Sequence, residues 1–246
     1  MVEPPVGPGN EDVRRVRRLH RRREPGLVLL EGPRVIREAV RQGARVRLLA
    51  VAEGMDFDVP ADRVIRLTPR ASAIVGATVA PQGVVAIADE PRASVSAALA
   101  RAREAGRPLV VLDAVQDPGN VGAICRTAAA AGFPALAVLD GSADPFGPKA
   151  VRAAAGATFA LTVARGTWED LRGCSGYGAV AHGGQAPDAC DVGAYDLLCL
   201  GSEAHGLRRD DLHPLTIPIA PGAESLNVAA AAAILLFEFR RRLPTR

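Results

Sequence analysis

The stretch "LDAVQDPGNVGAICRTAAAAGF", residues 112–133, decides how the rest of the chain is read. An apolar run stops at Asp117-Pro118-Gly119-Asn120 and restarts at once as an alanine-rich segment ended by Gly132, a pattern that predicts strand, tight turn and helix. Such a unit opens a parallel α/β sheet. Pro118 and Gly119 turn the chain, but a turn requires neither Asn120 nor, six residues on, Arg126. Taken singly, Asn120 is a good helix N-cap and Arg126 an ordinary surface residue.

The alternation continues on both sides. Downstream, "ALAVLDG", "FALTVA", "GAVAHG", "DLLCLGS" and "LTIPIA" read as strands, and "PKAVRAAAG", "WEDLRG" and "SLNVAAAAAILLFEFRRR" as helices. Strands apolar throughout and separated by helices predict a mostly parallel sheet covered on both faces. Upstream, "GLVLLEG", "PRVIREAVRQG" and "VRLLAVAEG" form a strand, helix, strand unit, and "VIRLTPRASAIVGATVAPQGVVAIADE" adds two strands around a short helix. The predicted organisation is a disordered Pro/Gly-rich start over 1–11, a small α/β domain over 12–90, a linker helix over 91–107 and a larger α/β domain over 108–246.

Composition narrows the class. The chain has 246 residues, 48% hydrophobic and 23% charged, which fits a folded protein and excludes a disordered one. The longest apolar run, Val228 to Phe237, is half of what a membrane span needs, and the start carries no export pattern, so a cytoplasmic protein without a membrane partner is expected. Cys125, Cys174, Cys190 and Cys199 have no metal-binding spacing, so reduced thiols and no metal are expected. Of 30 basic residues only Lys149 is a lysine, a ratio that follows from a GC-rich genome rather than from function. Position says more: Arg14, Arg15, Arg17, Arg18, Arg21, Arg22 and Arg23 crowd into "RRVRRLHRRR", either a solvated helix face or a surface for a polyanion.

Ligands of parallel sheets bind where loops gather at the carboxyl ends of strands, and three such loops are polar. The first holds Asn120 and Arg126; its Gly119 and Gly122 are a G-x-x-G, short of a dinucleotide fingerprint, which disfavours a Rossmann-type small-molecule enzyme. The second sets Glu203 between Gly201 and Gly206, either an exposed turn or a carboxylate that ligand donors can reach. The third places Ser225 and Asn227 at the mouth of an alanine-rich helix, where one N-cap is expected and two polar groups exceed the need. That helix has a small side suited to close packing, in the core or across a dimer.

Together the loops resemble the ordered motifs of the TrmH/SpoU family of RNA ribose methyltransferases, in the SPOUT superfamily. "DPGNVGAICRTAAAAG" is similar to the first motif, "LGSEAHGL" to the second and "IPIAPGAESLNVAAAAAILLFE" to the third, with "DPFGPKAVRAAAGATFAL" similar to the segment between the first two. "LLEGPRVIREAV" and "PQGVVAIA" resemble, more loosely, the L30e-like domain that precedes the catalytic domain in ribosomal RNA members. The resemblance implies a deep trefoil knot in the C-terminal domain, which chain-threading rules argue against for an arbitrary sequence, and a homodimer. It implies S-adenosylmethionine as cofactor, with Gly201, Ile217 and Leu226 lining the adenosine pocket and Ile219 nearby. It places Asn120, Arg126, Glu203, Ser225 and Asn227 on functional polar positions, while Ala229 stands where the family often has a second Ser.

The activity implied is methyl transfer to an RNA ribose 2′-hydroxyl, in ribosomal RNA by analogy with the N-terminal domain, with a transfer RNA enzyme or a knotted RNA-binding module without catalysis as alternatives. Arg126 is expected to hold a phosphate and lower the hydroxyl's pKa, since a guanidinium is too basic to take the proton. Ser225 and Asn120 would position the acceptor, and the Arg14 to Arg23 cluster would supply phosphate contacts independent of sequence.

Overall fold

The computed structural model describes residues 4–21, 24–76, 82–202 and 206–243. Arg22, Arg23 and Glu203 lie outside the described residues. The chain folds around two sheets. The first has four strands in the order β1-β4-β2-β3, formed by β1 (Leu27–Glu31), β2 (Val46–Ala52), β3 (Val64–Leu67) and β4 (Val84–Asp89). β4 is antiparallel to both neighbours, while β2 and β3 are parallel.

Alternation along these strands gives the first sheet two apolar faces. Leu29, Leu48, Ala50, Ile65 and Ile87 pack under α1 (Glu11–Arg21) and α3 (Pro69–Val75). Val28, Leu30, Leu49 and Val51 face α2 (Pro33–Arg41). Val13, Val16 and Leu19 are the buried stripe of α1, so its arginines fall on the other side of the helix. The expected disorder over 1–11 does not extend to the described end of that segment. Val6 bridges to Leu67 on the edge of β3, with its N–H 2.8 Å from the Arg66 carbonyl, and Asn10 accepts the Asp12 N–H at 2.9 Å. An open strand edge and a good N-cap order a stretch whose composition reads as a tail.

The second sheet has six strands in the order β10-β8-β9-β5-β6-β7, parallel at every pairing. They are β5 (Leu109–Asp113), β6 (Ala135–Leu139), β7 (Thr162–Gly166), β8 (Gly176–Ala179), β9 (Leu197–Gly201) and β10 (His213–Leu215). Val110, Leu112, Leu136, Leu198 and Leu200 point to α5 (Pro118–Ala130), α6 (Pro148–Ala154) and α7 (Val228–Arg242). Leu109, Val111, Ala137 and Cys199 point to α4 (Val95–Glu104). Both faces are covered, as the unbroken apolar strands require. One apolar cluster runs from the first sheet into the second, and Arg152 of α6 pairs with Glu31 at 3.5 Å where they meet.

Two expected elements differ. "WEDLRG" is a single 3-10 turn, Trp168–Leu171, closed by a reciprocal cap between Thr167 and Asp170. "LTIPIA" is strand only to Leu215; Pro218 cannot donate to a ladder, and 216–227 runs irregularly.

Candidate active site

Because the second sheet is parallel, the ends of β5, β6, β9 and β10 emerge on one side. β5 leaves the sheet through Ala114 in the left-handed region, φ 56°. The Ser142 hydroxyl steadies this turn by accepting the Val115 N–H at 3.0 Å and donating to the Leu112 carbonyl at 3.1 Å.

Asp117, not Asn120, caps α5. Its carboxylate accepts the Asn120 N–H at 3.0 Å and the Lys149 ammonium at 2.7 Å. The Lys149 hydrogen bond, and after it the Asn120 N–H, hold Asp117 below the usual carboxylate range. Asn120 is thereby released from capping. Its side-chain oxygen instead accepts from the Asn227 amide at 3.2 Å. Asn227 in turn caps α7, accepting the N–H groups of Ala229 at 3.0 Å and Ala230 at 3.2 Å. Gly122 has a packing reason: a Cβ there would lie 2.2 Å from the Ala150 carbonyl oxygen, where α5 and α6 meet.

In the second loop Ser202 and Gly206 exchange main-chain hydrogen bonds of 3.0 and 2.8 Å. A Cβ on Gly201 would fall 2.4 Å from the Gly206 carbonyl carbon, so only glycine lets the loop fold back onto β9. In the irregular stretch after β10, the main-chain groups of Ile217 and Ile219 make no hydrogen bond among the described residues. Gly201, Ile217, Ile219, Ser225 and Leu226 all line one cavity of about 260 Å³, closed below by apolar side chains of α7. Leu226, 37% exposed, sits at its rim. An apolar hollow with a few unengaged main-chain donors and acceptors fits a flat heterocycle carrying polar edges.

The structure thus joins Asn120 to Asn227 and gathers Ser225 with the four expected cofactor positions. Arg126 stands apart: it is exposed, about 9 Å along α5 from Asn120 at the helical rise, outside the cavity lining, and without an ion pair among the described residues. On α1, Arg15 and Arg18 pair with Glu24 at 3.3 and 3.0 Å, whereas Arg14, Arg17 and Arg21 have no ion pair among the described residues. Sequence reasoning missed Asp113, Asp117, Lys149 and Arg208. Asp117 was visible only as the start of the turn and Lys149 only as the single lysine of the chain, neither with a role attached.

The model of the SpoU rRNA methylase family matches residues 107–237, more than half of the chain. The chain belongs to the SpoU rRNA methylase family. A second model, the MRM3-like substrate binding domain, matches residues 10–86. Among SpoU relatives, the 23S rRNA (guanosine(2553)-2′-O)-methyltransferase RlmP of Bacillus subtilis is 32% identical over 94% of this chain and 96% of its own. The 23S rRNA (uridine(2479)-2′-O)-methyltransferase of Streptomyces viridochromogenes is also 32% identical, over 92% of this chain and 87% of its own. Among solved SpoU structures, AviRb from Streptomyces viridochromogenes in complex with AdoMet superposes with a TM-score of 0.81 at 28% identity, covering 95% of this chain and 98% of its own. An AdoMet-bound rRNA methyltransferase from Sinorhizobium meliloti gives the same TM-score and identity over 96% of both chains.

Proposed function

We propose that this protein is an S-adenosylmethionine-dependent methyltransferase that methylates a ribose 2′-hydroxyl in ribosomal RNA. The observation that carries the reading is the cavity ringed by Gly201, Ile217, Ile219 and Leu226, with Ser225 on its wall and Asn227, which holds Asn120, next in sequence to Leu226. Its residues fit the cofactor: apolar walls for the adenine ring, and the free main-chain groups of Ile217 and Ile219 for its polar edge. When bound, S-adenosylmethionine supplies an electrophilic methyl group on a sulfonium.

The chain's part is to bind, orient and polarise. Ser225 and Asn120 orient the ribose, and Asn227 fixes Asn120 while ordering the start of α7. Holding the acceptor oxygen in line supplies much of the acceleration. Arg126, too basic to accept a proton, takes the neighbouring phosphate through its guanidinium and favours the developing alkoxide. Glu203 is assigned a polar role in the second loop.

Residues 12–90 are proposed to be an L30e-like RNA-binding domain, with 91–107 linking it to the catalytic domain over 108–246. Arg14, Arg17 and Arg21, free of carboxylate partners among the described residues, would make its phosphate contacts, joined by Arg15, Arg18, Arg22 and Arg23. The trefoil knot is proposed at β8, β9 and β10, whose parallel crossovers hold no regular helix among the described residues and whose following chain returns as α7 against α5. A homodimer is proposed along α7, where Ile234 and Phe237 are 45% and 46% exposed on one face. A cytoplasmic location is proposed, supported by the bacterial relatives that modify 23S rRNA. Ribosomal RNA is preferred to transfer RNA because both named relatives modify 23S rRNA.

The test is incubation of the protein and S-adenosylmethionine with unmodified 23S rRNA, followed by nucleoside mass spectrometry. A new 2′-O-methylnucleoside is expected; a methylated base in its place would overturn the assignment.

A further inference from the structure

We infer that Asp113 and Arg208 are a positioning pair that holds the second loop in its cofactor-binding shape. Asp113 is the last residue of β5 and is fully buried. Its two carboxylate oxygens are both engaged by one residue 95 positions away: Oδ2 accepts the Arg208 main-chain N–H at 2.6 Å, and Oδ1 accepts Arg208 Nε at 2.6 Å. The same guanidinium extends Nη2 to the Asp140 carbonyl beyond the end of β6, at 2.5 Å. Asp113 is also the register partner of Gly201, the cavity residue at the end of β9.

Asp113 therefore meets both limbs of the loop, the outgoing one through its main chain and the returning one through its carboxylate. The outgoing limb is held by the β5–β9 ladder at Asp113 and Gly201. The returning limb, which lies against Gly201 at Gly206, is held two residues later at Arg208. Between them the described parts of the loop are tied by the Ser202–Gly206 pair. Gly201 and Gly206, which pack against each other and both line the cavity, thus lie between two anchors, β5 on one side and Arg208 on the other. A buried carboxylate is stable only with its oxygens satisfied, which makes the clamp specific. Nε and Nη2 both meet Asp113 Oδ1 at 2.6 Å while Nη2 also reaches the Asp140 carbonyl just past β6, a spread of planar donors that one lysine ammonium cannot reproduce.

The inference rests on the reading of this cavity as the methyl-donor site, and it deepens that reading by naming residues that act through the loop without touching the ligand. The test measures S-adenosylmethionine binding by calorimetry, KM and kcat for methyl transfer, and RNA affinity for wild type, Arg208→Lys and Asp113→Asn. Each variant is expected to raise the cofactor Kd and KM by roughly ten-fold, with kcat at saturating cofactor and RNA affinity close to wild type. Loss of stability alone would leave the Kd of the folded fraction unmoved, and a folded variant with wild-type cofactor Kd overturns the inference. If both variants fail to fold, hydrogen exchange of the wild type decides: an Arg208 amide protected before cofactor is added supports the clamp, and rapid exchange there overturns it. A wild type that binds no S-adenosylmethionine would refute the donor-site reading itself, an outcome separate from failure of the clamp.

Discussion

The side-chain amide of Asn227 donates to the side-chain oxygen of Asn120 at 3.2 Å, joining the start of α7 to the first turn of α5 across 107 residues of chain. Asn227 uses its oxygen to cap α7 and its nitrogen to hold Asn120, so its structural and active-site roles sit on different atoms. Asn227→Ala loses both and should cost about 1 kcal/mol of stability through the cap. Asn227→Asp keeps the cap, and its charge suits a helix N-terminus, but it removes the donor to Asn120. Its melting temperature should match wild type while kcat/KM falls by roughly three- to ten-fold, the worth of one hydrogen bond. Wild-type kcat/KM for Asn227→Asp would show that the contact is incidental.

Arg126 makes no ion pair among the described residues and is exposed, so its substitution should leave stability within about 0.5 kcal/mol. Arg126→Lys retains charge and loses the fork. Turnover should fall by about a hundred-fold while thermal melts overlay the wild type. Undiminished turnover in Arg126→Lys would remove any need for a guanidinium.

The α1 arginines divide by what they already hold. Arg14, Arg17 and Arg21 face solvent without carboxylate partners among the described residues, while Arg15 and Arg18 are engaged by Glu24. The triple change Arg14→Ala, Arg17→Ala, Arg21→Ala should lower RNA affinity and reduce the slope of log K against log salt by about 2 to 3. Arg15→Ala with Arg18→Ala should change it less. Equal slopes for the two variants in filter-binding titrations would mean that α1 is a solvated face.

Ile234 and Phe237 expose large apolar surface one turn apart on α7. If α7 pairs with itself about a two-fold axis, Ile234→Asp with Phe237→Asp places like charges in an apolar seam and should yield a monomer by light scattering. A protein that is monomeric before the change would dismiss the dimer.

Burial pushes the Cys125 thiol up from 9.0 to about 12 and raises Cys199 as well. A thiol with a raised folded-state pKa contributes stability that is complete below the unfolded value and is lost as pH rises through the folded one. Stability should therefore decline between about pH 9 and 12, and the buried thiols should resist alkylation until the protein unfolds. Rapid labelling of Cys125 at pH 8 in the folded protein would contradict its burial.

Much of the second sheet was legible because β5, β6 and β9 are buried on both faces and so carry unbroken apolar runs. β10 was overextended because Ile217 and Ile219 imitate a strand core, whereas they line a cavity and flank Pro218. Val6 was read as tail because nothing local announces that it will meet the edge of β3. In the site, loops at strand ends could be found from pattern, but contacts between them could not. The capping of α5 by Asp117, the Asn120–Asn227 bond and the Asp113–Arg208 pair depend on which strands are neighbours, and strand order is not encoded in periodicity.

The measurement that tests the central claim most directly is transfer of tritiated methyl from S-adenosylmethionine to unmodified 23S rRNA and to transfer RNA, by wild type and Arg126→Ala. Incorporation into the ribosomal RNA alone, abolished in Arg126→Ala although that variant still binds the cofactor, is the predicted result. Incorporation confined to transfer RNA, or into neither RNA despite cofactor binding, would contradict it.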